Sequence, residues 1–165
     1  MVVVSAIITL IAAPLFKAHM PIHWGYFVLI SLLTIFAMAG LGMLIGVIAS
    51  NGRVTVLISQ LFFVPSMILS GMLMPLNMLP YGIRQIALIL PATHAMIAWR
   101  SLAFGLPVEI DPVWSMLLLL AGGLVAFSLA ALLFQWDSHN QQRGRSPVLA
   151  ILALVPYLLA VIFLR

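Results

Sequence analysis

The stretch Trp24–Ser50, WGYFVLISLLTIFAMAGLGMLIGVIAS, carries no charged residue from end to end. As an α-helix it rises about 1.5 Å per residue and reaches roughly 40 Å, enough to cross a ~30 Å hydrocarbon core with some tilt. The rest of the chain does not supply a polar surface to cover it. Of 165 residues, 65% are hydrophobic and 6% charged, where a soluble domain carries about 25% charged. Mean hydropathy is +1.27. A disordered chain, a soluble enzyme and a coiled coil are excluded, and lipid must replace the missing polar surface.

On the N-terminal side, Val2–Phe16 is apolar with Pro14 near its end, and the first charge, Lys17, follows it. A signal peptide has its positive charge before the apolar run, so this segment is read as a membrane helix. Lys17–His23 is a short polar loop containing Pro21. On the C-terminal side, Ser50–Arg53 is a tight turn and Val54–Met74 the next span. Trp114–Gln135 is another, with Trp114 and Trp136 at the interface levels where tryptophan concentrates. Trp136–Ser146 is the most polar loop, with Asp137, His139, Arg143 and Arg145, and Pro147–Leu164 is a last apolar run.

Pro75–Pro112 differs from these spans. Pro75, Pro80, Pro91, Pro107 and Pro112 interrupt it, and Arg84, His94 and Arg100 lie inside it. Two short helices fit, Ile83–Leu90 and Ala92–Ala103, because Pro91 has no N–H to donate and disfavours helix in the residue before it. One reading is a single kinked span. The other, preferred for the cost of the proline and two ionisable groups in one crossing, is a re-entrant hairpin of half-helices.

The chemistry-bearing residues are few. No cysteine is present, so a disulfide, a thiol nucleophile and a Cys-based metal site are excluded. The net charge is +4, but the basic residues are scattered singly, which fits loop charges at membrane edges rather than a nucleic-acid surface. The acids Glu109, Asp111 and Asp137 and the histidines His19, His23 and His139 fall in loops. His19 and His23 have helical metal spacing, but Pro21 lies between them and no third ligand is close. No HExxH, GxSxG or phosphate-binding loop occurs. The expectation is a chain that is not an enzyme and has no catalytic residue, no metal and no cofactor.

Gly42 and Gly46 form a GxxxG, whose small residues let two helix backbones approach closely in lipid. They are candidates for helix packing. Ser66 and Ser70, near Pro65, suit either the repair of a carbonyl freed by that proline or the lining of a path. Arg100, after Trp99, reads either as a snorkelling arginine at a helix end or as a fixed charge at an outer gate.

The run Ser70-Gly71-Met72-Leu73-Met74-Pro75-Leu76-Asn77-Met78-Leu79-Pro80 continues through Ile83-Arg84-Gln85-Ile86-Ala87 and Leu90-Pro91-Ala92-Thr93-His94-Ala95 to Trp99-Arg100. In order and spacing it resembles the signature of the membrane subunit of type 2 ATP-binding-cassette exporters, roughly "SG…P…MP…LP.T.A…LR". The resemblance covers about Val2 to Gln135. It implies that Ser70, Gly71, Pro75, Pro80, Pro91 and Arg100 are signature or outer-gate residues. It makes Val2–Phe16, Trp24–Ser50, Val54–Met74 and Trp114–Gln135 the family's third to sixth spans. The family's first two spans and its cytoplasmic coupling helix have no counterpart here, and Pro147–Leu164 is an extra span, so a truncated or split permease is expected. Mapped this way, Arg53, Arg143 and Arg145 are cytoplasmic and Lys17, Arg84, Arg100 and Arg165 external, which gives no positive-inside bias.

The fold expected is all-α: a polytopic transmembrane helix bundle of about five spans plus a re-entrant hairpin. Residues 1–135 form the permease-like region, and 136–165 a polar loop and an extra C-terminal helix. The function implied is the permease component of an ATP-driven exporter of an amphipathic or lipid-like substrate, multi-pass in the inner or plasma membrane. Its partners would be a separate cytoplasmic ATP-binding subunit, a second permease half in a homo- or heterodimer, and membrane lipid, with no nucleic acid. The alternative is a non-transporting remnant or accessory protein that only packs against other helices.

Overall fold

The computed structural model describes residues 2–16, 20–108, 110–134 and 154–163, and among them every regular element is helical. Helix α1 is Val2–Leu15, α2 Trp24–Ile48 and α3 Gly52–Leu69. A single 3₁₀ turn, Leu76–Met78, leads to α4, Tyr81–Leu88, and α5, Pro91–Ala98, which runs on into a π turn, Trp99–Ala103. Helix α6 is Pro112–Leu133 and α7 is Val155–Phe163. The polar loop 136–146, Pro147, Lys17, His19 and Glu109 lie outside the described residues.

Local chemistry sets these boundaries. Within α2 the hydroxyls of Ser31 and Thr34 donate to the carbonyls of Phe27 and Ile30, each at 2.7 Å, so neither polar side chain is left unsatisfied in an apolar setting. Asn51 caps α3, its side chain accepting from the Val54 N–H at 3.0 Å. Asp111 caps α6 in the same way through the Val113 N–H at 2.9 Å, with Pro112 in the first turn. Helix α3 stops earlier than the expected Met74. Gly71 adopts φ +88°, a left-handed conformation that ends a helix and that glycine takes most readily. That is a physical reason for the Ser70-Gly71 pair.

Helices α2 and α6 make the most extensive contact in the fold. Leu41, Leu44 and Ile48 of α2 meet Ala126 and Ala130 of α6, and Phe36 stacks on Phe127 with centroids 5.0 Å apart. The backbones come close at Gly40, where an added Cβ would lie 3.0 Å from the Gly123 carbonyl oxygen. A second cluster joins Ala37, Leu119 and Ala95 of α5, and a third joins Leu88, Ile97 and Ile110. By contrast, α3 has no buried residue.

Among the described residues, α2, α3 and α6 are long and apolar enough to cross a membrane, and the α4–α5 pair adds a fourth crossing if it is one bent span. Helix α1 has 14 residues and α7 has 9. Over their described residues neither reaches the length of a ~30 Å core at about 1.5 Å per residue. Among the described residues three to four candidate crossings are present, and the expected count of five is not reached there. The two short helices of the proline-rich segment are present with their break at the expected place, but they meet at 90°.

Candidate functional site

The break between α4 and α5 follows from Pro91. A continuous helix would bring the N–H of residue 91 to the Ala87 carbonyl, and proline has none. The Thr93 hydroxyl donates to that carbonyl instead, at 2.6 Å, and the Leu90 N–H reaches it at 3.1 Å. The Leu88 carbonyl is met by His94 Nε2 at 2.8 Å. A carbonyl only accepts, so Nε2 carries the proton, and Nδ1 faces the Ser115 hydroxyl of α6 at 3.4 Å. Thr93 and His94 are both fully buried. The histidine expected as an ionisable group within this segment is thus a clamp on a broken helix. Tyr157 of α7 stacks on its ring, with centroids 5.6 Å apart, and its hydroxyl points at Gly122 of α6.

At the far end of α5 the helix widens into the π turn that carries Arg100, with the Phe104 N–H bonded to the Trp99 carbonyl at 3.2 Å. Such turns are rare and concentrate at functional sites. The turn is anchored to the start of α2: the Ala103 carbonyl accepts from the Ile22 N–H at 2.7 Å, and Trp99 stacks on Phe27 with centroids 5.2 Å apart. The chain then leaves through Gly105, at φ +66°.

Two cavities flank this assembly. The smaller, about 90 Å³, is lined by Ser70, Gly71, Pro75 and Arg100, together with Arg84. The larger is a groove of about 650 Å³ between α2, α3 and α5, walled mainly by apolar side chains such as Met38, Phe62 and Met67. Ser66, Ser70 and Pro91 also line it. Five of the six residues expected as signature or outer-gate residues thus line one or other of two adjoining spaces. Pro80 lines neither and precedes the first residue of α4. The Ser70 hydroxyl is buried without a partner, so it does not repair a carbonyl freed by Pro65.

The two GxxxG glycines are exposed, and an added Cβ at Gly42 or Gly46 would meet nothing within 4 Å. Gly42 lines the groove. The intrachain close approach runs through Gly40 and Gly123 instead. The sequence reading missed that pair and the Tyr157–His94 stack. Gly122-Gly123 in the middle of α6 was the available signal for both, since paired glycines in an apolar helix mark a close neighbour.

A bundle of apolar helices with a broken pair packed inside it, beside an apolar groove, defines a polytopic membrane protein of the transporter kind. Residues 1–104 match the family described as ABC-2 type transporter, and the chain belongs to that family. The family is a membrane component of transporters. The match ends just past the π turn, so α6 and α7 lie beyond it. No curated protein and no solved structure matches the chain.

Proposed function

We propose that the chain is a permease component of an ATP-driven exporter, moving an amphipathic or lipid-like substrate across the cell membrane. The groove between α2, α3 and α5 carries this reading. Its volume of about 650 Å³ falls within the ~300–1,000 Å³ typical of small-molecule sites. Its walls suit an apolar chain, and one wall is the broken α4–α5 pair, the kind of element that is tolerated in a membrane where it borders a cavity. Energy would come from a separate cytoplasmic ATP-binding subunit, as the chain carries no phosphate-binding loop. A second permease half would cover the exposed side of α3, a helix that buries no residue within the chain. The test uses inside-out vesicles from cells expressing the chain with its cognate ATP-binding subunit. ATP-dependent uptake of a fluorescent amphiphile, lost when the chain is omitted, is expected; equal uptake without it overturns the reading.

In this reading α4–α5 re-enters from the outer side. Cysteines placed at Asn77 and Glu109 of this cysteine-free chain should both react with an impermeant thiol reagent added outside. Labelling from opposite faces would make the pair a bent crossing instead.

A further inference from the structure

We propose that the small cavity and the groove form one site for an anionic amphiphile. Its headgroup sits at Arg100 and its chain lies in the groove. This deepens the permease reading and rests on it. The two spaces share Ser70 and Met96 as walls, so a single molecule can occupy both. The smaller holds a compact group, and the larger accommodates an alkyl chain.

Charge decides the headgroup. Arg100 is half-buried in the wall of the smaller cavity, and its guanidinium makes no hydrogen bond or ion pair with a described residue. A charge partly withdrawn from water is favoured by a counter-charge. Arg84 lines the same cavity; it already makes an interaction of its own, so the site rests on Arg100, with Arg84 as a second basic wall. No carboxylate lines this cavity among the described residues. A phosphate or carboxylate would supply a counter-charge to Arg100, and guanidinium holds either through paired N–H donors. A zwitterionic headgroup would bring its own cation up against Arg100.

A second observation marks the junction. Ser70 is 2% exposed and its hydroxyl has no partner, which is uncommon for a buried polar group. It lies where the two cavities meet. The π turn that presents Arg100 is a further local irregularity at the same place.

Binding to the purified full chain in neutral detergent tests this with lysophosphatidic acid, lysophosphatidylcholine of the same chain length, and inorganic phosphate. Lysophosphatidic acid is expected to bind about tenfold more tightly than the choline lipid, the scale of one charge-assisted contact. Inorganic phosphate alone should not be retained. Arg100→Gln should abolish the preference while leaving the choline lipid bound, which also reports an intact fold; Arg100→Lys should keep most of it. Ala92→Trp, which fills the groove, should weaken both lipids. Equal binding of the two lipids, a preference that survives Arg100→Gln, or lysophosphatidic acid binding indifferent to Ala92→Trp overturns the site. None of these results bears on ATP-dependent uptake, so loss of uptake with the preference intact would sink the permease reading alone.

Discussion

Helices α2 and α3 are neighbours in sequence, both apolar enough to span a membrane, yet α2 buries Phe27, Ile30, Ala37, Leu41 and Leu44 while α3 buries nothing. In water the exposed Leu57, Leu61 and Phe63 of α3 would form a sticky patch. In lipid they cost nothing, and apolarity no longer drives one helix onto another. What separates the two helices is side-chain size. The contact between α2 and α6 runs along Ala37, Gly40, Gly123, Ala126 and Ala130, which lets the backbones close up and dispersion act over many atoms. Helix α3 has no alanine, and its one glycine, Gly52, is its first residue. Hydropathy therefore identifies the membrane helices, and the stripe of small residues identifies the pair that packs.

The largest effect is expected on the packed side, at the stack that ties α7 to the bundle. Tyr157→Ala removes a fully buried ring from between His94 and Gly122. Truncating a buried aromatic costs about 3–5 kcal/mol. Tyr157→Phe should be neutral or slightly stabilising, because the hydroxyl it removes is buried without a partner. Reversible unfolding in mixed micelles measures both. If Tyr157→Ala costs no more than an alanine substitution at Leu61 of α3, the division into packed and unpacked sides fails.

The packed pair itself comes next. Gly40→Ala would bring a methyl group to 3.0 Å from both the Gly123 carbonyl oxygen and the Phe127 ring. The backbone cannot yield as a side chain can, so a loss of about 1–3 kcal/mol is expected. Gly42→Ala, two residues along and facing open space, is the matched control. Equal unfolding midpoints for the two variants would show that the close approach of α2 and α6 does not hold the bundle together.

Much of this architecture was legible in the sequence where a local rule decides it. The start of α2 is the expected Trp24, and α6 begins and ends within two residues of expectation, because each is an apolar run bounded by polar turn residues. The break at Pro91 was legible because a missing N–H is a local fact. The 90° turn there was not, since it depends on how Thr93 and His94 reach back to α4 and on what α6 places beneath them. The end of α3 was placed too late because a glycine's φ is not written in its hydropathy. In the sequence Ser70, Gly71, Pro75, Pro91 and Arg100 stand out only through a family resemblance. The site was not legible as two cavities meeting at Ser70, because α2 and α5 come together only in the fold.

The smallest effect on stability is expected at Gly46→Leu, and it sharpens the comparison most. Gly42 and Gly46 have the spacing of a close helix contact, as Gly40 and Gly123 have its geometry, but among the described residues it is the latter pair that makes one. A leucine at position 46 enters open space, so the unfolding free energy of the isolated chain should shift by no more than about 0.5 kcal/mol. If the exposed face meets another helix, as a second permease half would supply, the bulk holds the two backbones apart and association weakens. The two readouts are independent: unfolding reports the chain's own packing, and a membrane association assay reports the face. Weakened association with unchanged unfolding would assign Gly42 and Gly46 to a contact between chains. No change in either would make the motif a consequence of glycine's frequency in membrane helices. A large loss in unfolding would mean that the face is already occupied within the chain, and the contrast between packed and unpacked surfaces would have to be redrawn.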